Sequence, residues 1–231
     1  SVLAGLALVG GAVGGNVAHA TVSTDGSINT EGSRIDIRAN AKPVNSVGVN
    51  SIVVGYQNTT DNEDGTTALG ANNQAYGNSG LAVGNENYAN GGAATAIGAG
   101  NEARAAATVA LGNKNNANAT SAVAVGNYNN QNYTKGTNQT TPKQAGNYST
   151  AVGSYNAALG DNSVSVGSMN TSHVADTITI GQSNNAKTMG GISIGKNNLT
   201  DSADGNRNDT RRNHENSQIA IGRDNTATEL D

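Results

Sequence analysis

The sequence predicts an all-β solenoid, a parallel β-roll wound from fourteen-residue coils. Three observations predict it. A phrase of three apolar or small residues closed by glycine returns at a fixed interval. An asparagine stands three residues after each of those glycines. The 231 residues include no Phe, Trp or Cys, but 31 Gly and 36 Asn.

The composition limits what the chain can be. Apolar residues make up 35%, below the roughly 45–50% of ordinary globular domains. Without Phe or Trp there is no thick aromatic core. Low apolar content can signal disorder, but disordered chains lack strict periodicity. The net charge of −4 comes with no basic stripe, which argues against a nucleic-acid partner. The absence of cysteine rules out a disulfide scaffold and thiolate metal sites.

Taken in order, residues 1–20 (SVLAGLALVGGAVGGNVAHA) are uncharged and end in a small-x-small pattern, Ala18-His19-Ala20. They read as the remnant of a secretory signal peptide. Residues 21–45 lack the repeat and read as an N-terminal lead-in or cap, with Arg34-Ile35-Asp36-Ile37-Arg38 alternating like a strand. Residues 46–231 carry the repeat. Two polar stretches, Gln131 to Tyr148 and Thr200 to Ser217, break the pattern and read as surface loops.

The closing glycines are Gly55, Gly70, Gly84, Gly98, Gly112, Gly126, Gly153, Gly167, Gly181, Gly195 and Gly222. Their spacing is fourteen, except for one step of 15 and two of 27. The asparagines are Asn58, Asn73, Asn87, Asn101, Asn115, Asn129, Asn156, Asn170, Asn184, Asn198 and Asn225. Five residues after the glycine stands Ala in seven units; Thr60, Gln131, Ser172 and Thr200 are the exceptions.

The three residues before each glycine read as a strand, as in Val109-Ala110-Leu111 and Ile192-Ser193-Ile194. Their outer two positions are β-branched or Leu, and the middle one is small. Alternate residues of a strand point to opposite faces, so one face is bulky and apolar and the other small. Glycine suits a corner of positive φ. Asparagine suits left-handed turn geometry, and its amide can bond to neighbouring backbone or from coil to coil. A narrow interior accounts for alanine and the missing aromatics. The interior can cover only one strand face, so the other calls for self-association.

Phrases such as SAVAVGNYN (Ser121 to Asn129), NSVSVGSMN (Asn162 to Asn170) and SQIAIGRDN (Ser217 to Asn225) resemble the head repeat of trimeric autotransporter adhesins, the YadA-like heads. That motif reads roughly N-S-V-A-I-G-x-x-S. This chain departs from it by placing Asn at the last position. The resemblance implies a left-handed parallel β-roll, a homotrimer and a place at the tip of a bacterial surface fibre. It also implies a neck, a stalk and an outer-membrane anchor beyond this sequence. The implied partners are host matrix proteins, host cell receptors or other bacteria.

Nothing in the sequence resembles a catalytic or cofactor site. His19, His173 and His214 share no ligand-spaced motif, and no activated Ser arrangement occurs. Thr177-Ile178-Thr179 occurs once and reads as a solvated strand edge. The candidate charged contacts to a ligand are Arg207, Arg211 and Arg212 in the second insertion. The reading is an adhesin head with no cofactor. The alternatives are a spacer solenoid without its own ligand, or a β-solenoid enzyme, which would need clustered carboxylates.

Overall fold

The computed structural model describes residues 51–60, 63–131, 143–201 and 218–228 in full. It gives the backbone alone of 20–22, 28–30, 34–38, 132–133 and 140–142.

Each coil consists of a long strand, a glycine corner, a short strand and a return arc. The long strands stack into one 12-stranded sheet in chain order. Every neighbouring pair is parallel and in strict register: Thr95 lies on Val109, Ala96 on Ala110, Gly98 on Gly112. The first member is Arg34–Arg38, paired with Ser51–Tyr56. The short strands, such as Glu102–Ala103 and Asn116–Ala117, form two five-stranded sheets. At the usual strand spacing of about 4.8 Å, the twelve long strands span roughly 50 Å.

The interior lies between the long and short strands. The middle residue of each long strand points inward, as does the residue five after its glycine; Ala82, Ala89, Ala96, Ala103, Ala110 and Ala117 are fully buried. The space is one side chain deep. In a single coil, the Ser172 hydroxyl reaches Ser165 Oγ at 3.1 Å and donates to the Val164 carbonyl at 2.9 Å. An aromatic ring does not fit between walls this close, which gives the missing Phe and Trp a physical cause.

Toward the C-terminal end, hydroxyls replace some of the inward alanines. Ser165, Ser172 and Thr179 form a buried triangle with Oγ separations of 2.8 to 3.1 Å. This corrects the reading of Thr177-Ile178-Thr179 as a solvated edge. Both threonines are fully buried, and Thr177 Oγ1 donates to the Val174 carbonyl at 2.8 Å. Only Ile178 between them turns outward.

The first insertion is a paired hairpin rather than a plain loop. Gln131–Tyr133 runs antiparallel to Thr140–Pro142. The chain is back on the coil by Lys143, whose N–H donates to the Asn130 carbonyl at 2.8 Å, and Ala145 is buried. The inserted part is therefore shorter than residues 131–148. At the second irregular step, Leu199–Asp201 pairs in parallel with Thr226–Thr228.

Candidate functional site

The glycine corner and the asparagine act on the same atoms. Each closing glycine has φ between 114° and 122°, outside the range that side chains favour. A Cβ on Gly84 would overlap the carbonyl oxygen of Gly98 in the next coil. That carbonyl accepts a hydrogen bond from Asn87 Nδ2 at 2.8 Å, and the same Nδ2 donates to Val83 O at 2.9 Å. Asn87 Oδ1 in turn lies 3.1 Å from the N–H of Asn101 and 3.0 Å from its Nδ2. The pattern repeats up the stack. Ten of the eleven asparagines are buried; Asn225 in the last described coil is exposed. Buried amides left unbonded are costly, so the ladder needs a side chain that both donates and accepts.

The sequence offered two roles for this asparagine, and the structure selects one. The left-handed residue of the corner is one position earlier: Gln57, Glu86, Lys114, Tyr128 and Met169 have φ between 50° and 58°. The repeat asparagines have no positive φ among the described residues. They join coils to one another.

Three surfaces face outward. On the long sheet, the two outer positions of each strand form a pair of apolar columns. Most of these residues are half-buried, but Ile180 is 39% exposed, Ile219 57% and Ile221 62%. At the corner, Tyr128 and Tyr155 stack with ring centroids 5.1 Å apart and planes 3° from parallel, and Lys114 Nζ lies 5.5 Å from the Tyr128 centroid. On the short sheet, Tyr76 and Tyr88 meet edge to face at 5.7 Å, and Arg104 lies 4.6 Å over the Tyr88 ring. The Glu102 carboxylate accepts a hydrogen bond from Arg104 Nε at 2.9 Å. That bond raises the pKa of a guanidinium already charged at any physiological pH.

The sequence reading did not single out either aromatic cluster. The only signal for the second is its phase: Tyr76, Tyr88 and Arg104 fall four or six residues after a glycine, on either side of the inward alanine. Arg207, Arg211, Arg212 and His214 lie outside the described residues. Among the described residues no group of three or more His, Cys, Asp or Glu could hold a metal ion.

A family model described as the YadA head domain repeat matches residues 46–73, 62–87, 103–129 and 145–168. The matched stretches take in coils on both sides of the hairpin and leave residues 88–102 and those beyond 168 unmatched. No curated protein matches the chain.

Proposed function

Because the chain is a YadA-like head domain of the trimeric autotransporter adhesin family, we propose that it serves as a trimeric, left-handed roll at the bacterial cell surface. There it binds host matrix, host cells or other bacteria by repeated non-covalent contacts. The observation that carries this reading is the pair of apolar columns on the long sheet. They hold Ile, Val, Leu or Thr in every coil and stay partly uncovered in the single chain. Contiguous apolar surface of this kind marks an interaction face. Two further copies cover it without any new sequence, because a cyclic assembly uses one patch repeatedly. The short sheets then face outward, three copies around the axis, and affinity rests on valency rather than on a deep pocket.

Sedimentation equilibrium of residues 46–228 tests the assembly, with a trimer expected at micromolar concentration. Cells displaying the domain test the activity, by adhesion to matrix-coated surfaces, epithelial cells and other bacteria. A folded monomer would overturn the assembly. A trimer that adheres to none of these would make the domain a spacer.

A further inference from the structure

Three successive coils bring six outward side chains into one array on the short sheet. Gln74 and Tyr76 come from the first coil, Tyr88 and Asn90 from the second, Glu102 and Arg104 from the third. Register sets Gln74, Tyr88 and Glu102 in one column, and Tyr76, Asn90 and Arg104 in the other. The tyrosines occupy one diagonal of the first two coils and the amides the opposite diagonal. The backbone beneath is pinned at every position: the N–H groups of all six donate to carbonyls of the next coil at 2.6 to 2.9 Å. Ala75, Ala89 and Ala103 fill the interior directly below.

We infer that this array is a binding site for an uncharged glycan, recognised through the Tyr76–Tyr88 corner and the Gln74 and Asn90 amides. The chemistry suits a pyranose. A sugar ring offers an apolar C–H face and a rim of hydroxyls, each both donor and acceptor. The tyrosines stand 86° apart, so one presents its edge to the other, and at least one ring face is taken neither by the pair nor by Arg104. Gln74 and Asn90 are exposed, and each amide offers two donors and an acceptor. The one cation in the array is already matched by Glu102 at 2.9 Å. An anionic sugar would meet that carboxylate, and a cation would meet the guanidinium, so a neutral ligand fits best. The site is flat, and a single sugar would bind it weakly. A preformed backbone reduces the ordering cost, and three copies on a rod multiply the affinity. This deepens the adhesin reading and rests on it for the short sheet being the free face.

The test uses the purified head with lacto-N-tetraose, cellotetraose and chitotetraose as neutral probes and sialyllactose as the charged one, each on beads and free in solution. At least one neutral probe is expected to capture the protein on beads and to shift the Tyr76 and Tyr88 ring resonances in NMR. Tyr88→Ala and Tyr76→Ala should each lower capture at least tenfold, while Tyr88→Phe stays within threefold. The isosteric changes Gln74→Glu and Asn90→Asp, which leave packing intact, should lower capture at least fivefold. Tyr128→Ala, on the other cluster, should change nothing. The inference is overturned if no neutral probe is captured, if only sialyllactose is, or if capture survives in the double Gln74→Glu/Asn90→Asp variant. Adhesion to cells stripped of surface glycans, undiminished from that to untreated cells, would also overturn it by pointing to a protein partner, and would leave the adhesin reading standing. Bead capture without any adhesion to cells would separate the two in the opposite sense.

Discussion

Asn130 Oδ1 accepts a hydrogen bond from the backbone N–H of Ala158 at 2.9 Å, across 28 residues of chain. Its Nδ2 donates to the Asn116 carbonyl at 3.0 Å on the other side. The side-chain amide stands where a backbone peptide group closes the ladder in regular coils. It does so because the hairpin has drawn the chain away: the Asn130 carbonyl is occupied by Lys143 N–H, and the short sheet ends at Asn116–Ala117 and restarts at Ala157–Ala158. One asparagine thus carries the solenoid past a thirteen-residue insertion. Asn130→Ala should leave the Asn116 carbonyl and the Ala158 N–H buried without partners. The expected loss is about 2–6 kcal/mol, at roughly 1–3 kcal/mol for each of the two orphaned groups, read as a drop in the denaturant midpoint at unchanged m-value. An unchanged midpoint would mean that water replaces the amide freely.

Deleting residues 131–143 and changing Gln144→Ala turns the 27-residue step into a standard fourteen-residue coil. Position 130 then lies in an ordinary short strand with Ala following it, and its backbone resumes the bonds its side chain now makes. The variant should keep the β-sheet circular dichroism and melt within a few degrees of the parent. Asn130→Ala introduced into it should cost far less than in the full chain, and this non-additivity is the signature of the bridge. Equal costs in both backgrounds would show that Asn130 is merely buried.

Much of the fold was legible in the sequence, and for definite reasons. Spacing alone located the strands, because a one-residue slip would reverse inside and outside in every later coil. Gly98 and its equivalents were legible because no other residue tolerates both the φ and the approach of the next carbonyl. The left-handed corner position was not, because its side chain projects away and Gln57, Glu86, Tyr128 and Met169 serve equally. Thr177 and Thr179 misled because a threonine–apolar alternation looks the same whichever face is wet. The pairing of Lys187 with Asp201 at 2.8 Å, one coil and fourteen residues away, carries no signal in the repeat itself. The Tyr76–Tyr88–Arg104 array became visible only once outward positions of successive coils could be placed side by side.

Two glycines separate backbone need from mere small size. Gly98 has φ of 121°, and a Cβ there would overlap the Gly112 carbonyl and meet Asn101 Nδ2 at 3.0 Å. Gly92 has no atom within 4 Å of a Cβ and no left-handed φ. Gly98→Ala should destabilise by about 3 kcal/mol or more, combining roughly 1–3 kcal/mol of backbone strain with displacement of two coils. Gly92→Ala should be neutral or stabilising by about 0.4–1 kcal/mol through reduced unfolded-state entropy. Thermal unfolding of both would decide, and similar melting temperatures would refute the corner geometry.

Ile178 tests the apolar columns directly. It is half-buried in the single chain, while its neighbours Thr177 and Thr179 point into the closed interior. A carboxylate at Ile178 can still reach water if the chain works alone, and Ile178→Asp would then cost only about 1 kcal/mol, the loss of its partly buried apolar contacts. If the long sheets of three chains pack together, the same carboxylate is removed from water three times around one axis. An uncompensated buried charge costs several kcal/mol or forces neutralisation. The coils above and below cannot shift to relieve it, because register ties Ile178 to Val164 on one side and Ile192 on the other. Thr120→Asp serves as the control, since Thr120 is exposed on the return arc. The expected result is loss of trimer in sedimentation equilibrium for Ile178→Asp alone, with a lowered melting temperature and, for Thr120→Asp, an unchanged one. Equal behaviour of the two variants would mean that the columns face solvent in the working protein, and the trimer built on them would fall.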